Sequence, residues 1–171
     1  MYKKPSIGEY PAYYGGYINL VPKGNLLDIL AKQLEDTTAL LSDKTETQST
    51  YRYADGKWTL KEVIGHITDT ERIMSYRLLR ISRGDKTPLA GYNDEDYVKE
   101  AFFHTRSISE LLEDFHVVRR STISLLRGLP ETAWARTGIA NNSEISVNAL
   151  LFIIAGHELH HVNIIKERYL I

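Results

Sequence analysis

Along residues 24–42 apolar side chains return every three or four positions, at Leu26, Leu27, Leu30, Leu34 and Leu41 with Thr38 keeping the step. That recurrence places them on one face of an amphipathic helix ending near Ser42. A second helix is predicted from Thr59, whose spacing to Glu62 is that of a capping box. Leu60, Val63, Ile64, Ile67, Met74, Leu78 and Ile81 carry it to about Ser82, where Arg83-Gly84 supplies a stop. Ser107 and Glu110 repeat the capping-box spacing ahead of Ile108, Leu111, Leu112, Phe115, Val118, Ile123, Leu125 and Leu126, and Gly128 and Pro130 close this third helix. The last helix runs from about Ser146 to Tyr169 with Leu150, Ile154, Ile164 and Ile165 on its stripe.

The connecting segments are less regular. Residues 42–58 read as a polar loop with a turn at Asp55-Gly56, and residues 138–144 read as another polar loop. Residues 84–106 are long for a connection in a compact domain, which predicts one short helix near Asp94–Phe102. Residues 1–23 hold Tyr2, Tyr10, Tyr13, Tyr14 and Tyr17 among Pro and Gly without a sustained period, the pattern of an ordered arm packed on the domain. No segment alternates as a half-buried strand would. Four amphipathic helices with two long connections describe an all-α four-helix bundle, and 171 residues suit one domain.

Composition narrows the chemistry. With 21 Lys+Arg against 22 Asp+Glu, no net field draws nucleic acid or an anionic membrane. No run of about 18 apolar residues marks a membrane span and the N-terminus lacks a signal-peptide core, so a cytoplasmic protein is expected. The absence of cysteine removes disulfides, thiolate nucleophiles and Cys-type zinc sites, leaving His and carboxylates as the available metal ligands.

In the segment Gly156-His157-Glu158-Leu159-His160-His161, His157 and His161 are one turn apart, about 40° apart around the axis. Both continue the apolar stripe from Leu150 and Ile154. Two polar rings aimed at a core need partners, and a shared metal satisfies both at once. A third ligand from another helix is found in His66, beside Gly65, whose missing side chain allows a close approach. His160 lies about 60° to one side and suits a pocket or supporting role. His104 and His116 are expected to be solvated. The segment also satisfies the H-E-x-x-H pattern of zinc proteases, in which Glu158 would be the general base on a metal-bound water, although no third ligand follows within the ten remaining residues. A helix-surface carboxylate is the other reading of Glu158.

The segments EYPAYYGGYINLVPKGNLLDIL, YRYADGKWTLKEVIGHITDTERIMSYRLLRISRGDKTPLAGYN and AGHELHHVNIIKERYL together resemble the DinB-like superfamily of metal-binding four-helix proteins, in order and spacing over nearly the whole chain. That superfamily also includes bacillithiol and mycothiol transferases and a thiol-dependent maleylpyruvate isomerase. The resemblance places the helix-two histidine at His66 and the H-x-x-x-H pair at His157 and His161. It implies a nickel or zinc ion, and a homodimer formed through helix faces. A three-histidine site with open positions is catalytic in type. The expected activity is transfer of a low-molecular-weight thiol to an electrophile, which suits a chain without a cysteine nucleophile. The alternatives are hydrolysis by metal-activated water, with Glu158 or Asp69 as base, and a metal-binding stress-response module without turnover. On this reading Asp69 either supports a ligand histidine or pairs with Arg72 at i+3. Arg72 and Arg77 either receive a carboxylate of a thiol such as glutathione or bacillithiol or lie solvated at the surface. Trp58 and Tyr92 fit either a pocket mouth or the core.

Overall fold

The computed structural model describes residues 3–170; Tyr2 of the predicted arm lies outside them. A 3-10 turn at Ala12–Tyr14 leads into α1 (Gly15–Leu20) and then α2 (Leu26–Leu41), which Asn25 caps by accepting from the Leu27 amide. After α3 (Glu46–Ser49) come α4 (Leu60–Ser82) and α5 (Asp94–Glu100). The predicted capping boxes form at Thr59–Glu62, which opens α4, and at Ser107–Glu110, which opens α6 (Ile108–Arg127). A hairpin of β1 (Thr137–Ala140) and β2 (Ser143–Ser146) precedes α7 (Val147–Arg168).

The four long helices form a ring in which α2 packs on α6, α6 on α4, α4 on α7 and α7 on α2, while α1 lies along α7. This order is not the chain order, and the connections before α4 and before α7 make the crossovers. It accounts for an unusual property of α7. From Ala149 to Glu158 every residue is buried, because the bundle takes one face and the Tyr-rich arm the other. The stripe predicted from Leu150 and Ile154 is therefore only part of its buried surface, as expected of a helix apolar on all sides. Within the arm, Tyr10 and Tyr14 pack on the core, whereas Tyr13 is exposed.

Three expectations are corrected. The polar loop 42–58 contains α3, opened by a capping box of Thr45 and Gln48. The loop 138–144 is instead part of an antiparallel hairpin pairing Gly138 with Ile145 and Ala140 with Ser143. Its turn residues Asn141 and Asn142 have φ of 49° and 60°, the left-handed pair that a two-residue hairpin turn requires and Asn tolerates. Leu89 in the long connection between α4 and α6 bonds to this hairpin through Ile139 O and the Asn141 amide, tying that connection down. Gly65 makes room for neither backbone nor substrate: a Cβ there would lie 2.4 Å from the ring of Phe103.

The apolar core is divided in two. One half gathers Ile18, Leu30, Leu78, Leu126, Leu150 and Ile154, and the other Leu41, Ile64, Ile67, Leu111, Phe115 and Ile165. Between them each long helix contributes buried polar residues: Gln33 and Thr37 from α2, Glu71 from α4, Arg119 from α6, Glu158 from α7. Arg119 is fully buried. Its Nε and Nη2 donate to the Glu71 carboxylate at 2.8–3.1 Å, Nη2 also to Glu158 Oε2 at 2.7 Å, and Nη1 to Leu30 O at 3.0 Å. Thr37 donates to the other Glu158 oxygen at 2.6 Å. No helix among the described residues is long and apolar enough to cross a membrane.

Candidate metal centre

His66 from the first half of α4 and His157 and His161 from α7 meet where these two helices pack. His157 Nε2 is 3.0 Å from His66 Nε2 and 3.1 Å from His161 Nε2. One nitrogen from each ring lies within 4.8 Å of the other two, and the residues are only 5%, 6% and 9% exposed. An ion held at about 2.0–2.1 Å would put its nitrogens about 2.9 Å apart at a right angle and about 3.4 Å apart at the tetrahedral angle. The observed separations fit sharing of one ion. Hydrogen bonding alone fits less well. A neutral imidazole nitrogen either donates or accepts, so His157 Nε2 satisfies one of its two close neighbours and is set against the other.

The electrostatics favour ligation. Burial disfavours the imidazolium of all three residues: it holds His66 below its usual pKa, His161 down at about 3, and His157 well below 6.5, with the neighbouring rings lowering His157 and His161 further. Neutral imidazole is the form that binds a metal. Rings from outside the bundle cover the cluster. Tyr17 of α1 sets its edge against His157 and His160, at ring-centroid distances of 5.3 and 5.1 Å, and Trp58 lies 4.6 Å from His66. Tyr17 reaches this position because residue 156 is glycine; a Cβ there would stand 2.1 Å from Tyr17 O.

Two cavities flank the rings. One of about 310 Å³ runs between Tyr17, Tyr92, Arg77 and His157, and one of about 210 Å³ lies by Trp58, Glu95 and His161. A larger cavity of about 810 Å³, bordered by Lys3, Glu9, Trp134 and Asn148, touches none of the histidines.

Residues 29–165 match the DinB superfamily. The chain belongs to that superfamily. A protein of Oceanobacillus iheyensis, named by inference a metal-dependent hydrolase, is 26% identical over 95% of this chain and 93% of its own length. A second protein of that organism with the same description is 25% identical over 82% of this chain and 79% of its own. YfiT from Bacillus subtilis, described as a probable metal-dependent hydrolase with an unusual four-helix bundle topology, superposes with a TM-score of 0.72 at 21% identity, covering 96% of this chain and 90% of YfiT. A mycothiol-dependent maleylpyruvate isomerase superposes with a TM-score of 0.67 at 15% identity, covering 85% of this chain and 61% of the isomerase. Both likenesses are of fold.

The remaining predicted site residues are dispersed. Glu158 is neither beside the three nitrogens nor on the surface: one step round α7 from His157, it faces the bundle axis, with its two oxygens held by Thr37 and Arg119. Burial raises its pKa, and the Arg119 charge and the Thr37 hydrogen bond oppose that rise. Asp69 pairs with Arg72 at 2.8 Å, and Arg72 also reaches Asp114, so both belong to an outer ion-pair network. No carboxylate among the described residues is within ion-pair distance of the three ligand rings. His160 stands at the edge of the cluster, its ring 5.1 Å from that of His161. Arg77 is buried and borders the 310 Å³ cavity, which rules out the surface reading. Trp58 and Tyr92 border the two cavities. His104 is exposed as expected, but His116 is half-buried and bonded to Thr38 at 2.7 Å.

Arg119, Glu71 and Thr37 carried no expectation. A signal existed for the first two: Arg119 follows Phe115 by four residues and Glu71 follows Ile67 by four, so each interrupts an apolar stripe with a charge.

Proposed function

We propose that this protein is a metal-dependent enzyme that joins a low-molecular-weight thiol to an electrophilic small molecule at a centre formed by His66, His157 and His161. The observation that carries this reading is the convergence of three buried, neutral imidazoles beside a 310 Å³ cavity. Three nitrogen donors suit zinc or nickel and leave positions open to exchangeable ligands. When bound, such an ion lowers the pKa of the thiol or water that it holds.

The protein's own groups divide the remaining work. The three histidines resist protonation and keep their lone pairs directed inward. Tyr17 and Trp58 exclude bulk water from the outer side of the rings. The chain has no cysteine, so a sulfur nucleophile has to arrive with a cosubstrate. Glu158 and Asp69 are engaged elsewhere, which favours a nucleophile that ionises without a carboxylate base. A thiol, with an ordinary pKa of about 8.5, meets that requirement more easily than water at about 15.7. In the reaction the thiol proton passes to solvent and the sulfur forms a bond to the electrophilic carbon. The leaving group departs with the electron pair of its own bond.

Hydrolysis is the second reading, favoured by the descriptions of the Oceanobacillus relatives and YfiT. Incubating zinc- and nickel-loaded protein with a chromogenic electrophile, with and without thiol, separates the two. Thiol-dependent loss that disappears in His157→Ala supports transfer, and turnover at the same rate without thiol overturns it in favour of hydrolysis. Pairing of two copies belongs to the same proposal and is tested by light scattering.

A further inference from the structure

Two arginines are buried in this bundle, and they are treated differently. Arg119 meets two carboxylates and a carbonyl. Arg77, only 3% exposed, donates Nη2 to Ala90 O at 2.7 Å, while Nη1 has only the weak acceptor Met74 Sδ at 3.6 Å. Its Nε has no acceptor, and no carboxylate among the described residues lies within ion-pair distance of the guanidinium. A guanidinium withdrawn from water without a counter-charge is costly, and a bound anion would offset that cost.

The surroundings show where such an anion would sit. Arg77 and His157 border the same 310 Å³ cavity, which Tyr14 and Tyr92 also line. Along α4, Arg77 is eleven residues beyond His66, about 16 Å of helix axis, and helical side chains lean back toward the N-terminus. Burial raises both phenol pKa values, that of Tyr92 to about 12, so both phenols stay uncharged beside an anion, with the Tyr92 hydroxyl bonded to Thr70 at 3.0 Å. The guanidinium lies 5.8 Å from the centre of the Tyr92 ring. Asp94 is the one acidic residue lining the cavity, and it would oppose a dianion more than a monoanion.

We propose that Arg77 anchors a carboxylate-binding subsite, so that the small molecule taken by this cavity carries a carboxylate at its end remote from the histidines. The inference deepens the functional reading above and rests on the same cavity, but it specifies a substrate class that the metal centre alone does not.

Binding of hexanoate, hexanamide and hexyl phosphate to the zinc-loaded protein, followed by calorimetry, tests it. Hexanoate is expected to bind roughly tenfold or more tightly than hexanamide, as for a charge-assisted contact, and more tightly than hexyl phosphate. In Arg77→Met the preference for hexanoate over hexanamide falls to unity with zinc retained, and Arg77→Lys keeps part of it. Equal binding of acid and amide by the wild type overturns the inference even if Arg77→Met fails to fold. So does a preference that survives in Arg77→Met, which would place the carboxylate on the metal, and tighter binding of hexyl phosphate removes the carboxylate assignment. If hexanoate binds as stated but no thiol-dependent reaction is found, the subsite stands and the transfer reading falls.

Discussion

Glu158 occupies the second position of an H-E-x-x-H sequence, yet its contacts describe a structural carboxylate, and substitutions in the buried cluster separate the two roles. Among the described residues Arg119 is the only cation paired with Glu71 and Glu158, both at most 2% exposed, so Arg119→Met leaves two carboxylates in the core without a counter-charge. Breaking a buried pair in this way costs about 3–5 kcal/mol, and at about 2–4 °C per kcal/mol for a chain of this size the melting temperature falls by roughly 6–20 °C. Glu158→Gln is milder. It leaves the double contact of Arg119 with Glu71 intact and keeps an acceptor toward Arg119, so the loss is that of one charge-assisted hydrogen bond, about 1.5–3 kcal/mol. Neither change touches an imidazole nitrogen, so the folded fraction of both variants should bind zinc as the wild type does. Urea melts with zinc titration at a temperature where both remain folded provide the assay. Glu158→Gln with unchanged stability and zinc affinity but abolished turnover would refute this reasoning and make Glu158 a catalytic base.

The other predictions rest on close contacts and on the depressed imidazole pKa values. Gly156→Ala drives a methyl group against Tyr17 O, so the arm should lift from α7 and become sensitive to limited proteolysis around Gly15 and Gly16, while zinc stays bound; an arm as resistant as the wild type's would contradict this. Gly65→Ala forces the Phe103 ring aside and should cost about 1–3 kcal/mol in a urea melt, the range for overpacking. Because burial lowers the folded-state pKa of His161 from 6.5 to about 3, the unfolded chain binds more protons over that interval. The stabilisation is complete above about pH 6.5 and is lost as pH falls toward 3, so the urea midpoint of the metal-free protein should drop on acidification. His161→Phe should flatten that dependence, and an equal slope in the variant would count against it.

The four long helices were legible because each buries a stripe of aliphatic residues over four or more turns and is bounded by capping residues such as Thr59 and Ser107. The metal-ligand candidates were legible because one helical turn separates His157 from His161 and because His66 stands at the flank of the helix-two stripe, a choice with which the resemblance agreed. Other features were hidden for physical reasons. The first strand of the hairpin uses Gly138 and Ala140 as its inward residues, too small to register as an apolar alternation, the second buries a single apolar residue, Ile145, among polar neighbours, and the turn signal was two asparagines inside a polar stretch. The helix Glu46–Ser49 is a single turn, too short for periodicity, so only its Thr45–Gln48 cap announced it. The division of the core was only half legible: Arg119 and Glu71 each interrupt an apolar stripe, but Glu158 sits among the histidines, and no single helix tells which charges pair. Only the ring order of the helices shows that the three meet. The same order turns Glu158 away from the metal ligands next to it in sequence.

The central claim is a shared ion on three histidines, and metal content per chain is its most direct test. Protein purified without an affinity tag should hold close to one zinc or nickel ion per chain, directly or after reconstitution, and His66→Ala, His157→Ala and His161→Ala should each lose it while remaining folded. A wild type that takes up neither metal, or a His66→Ala variant that binds as the wild type does, would contradict the account.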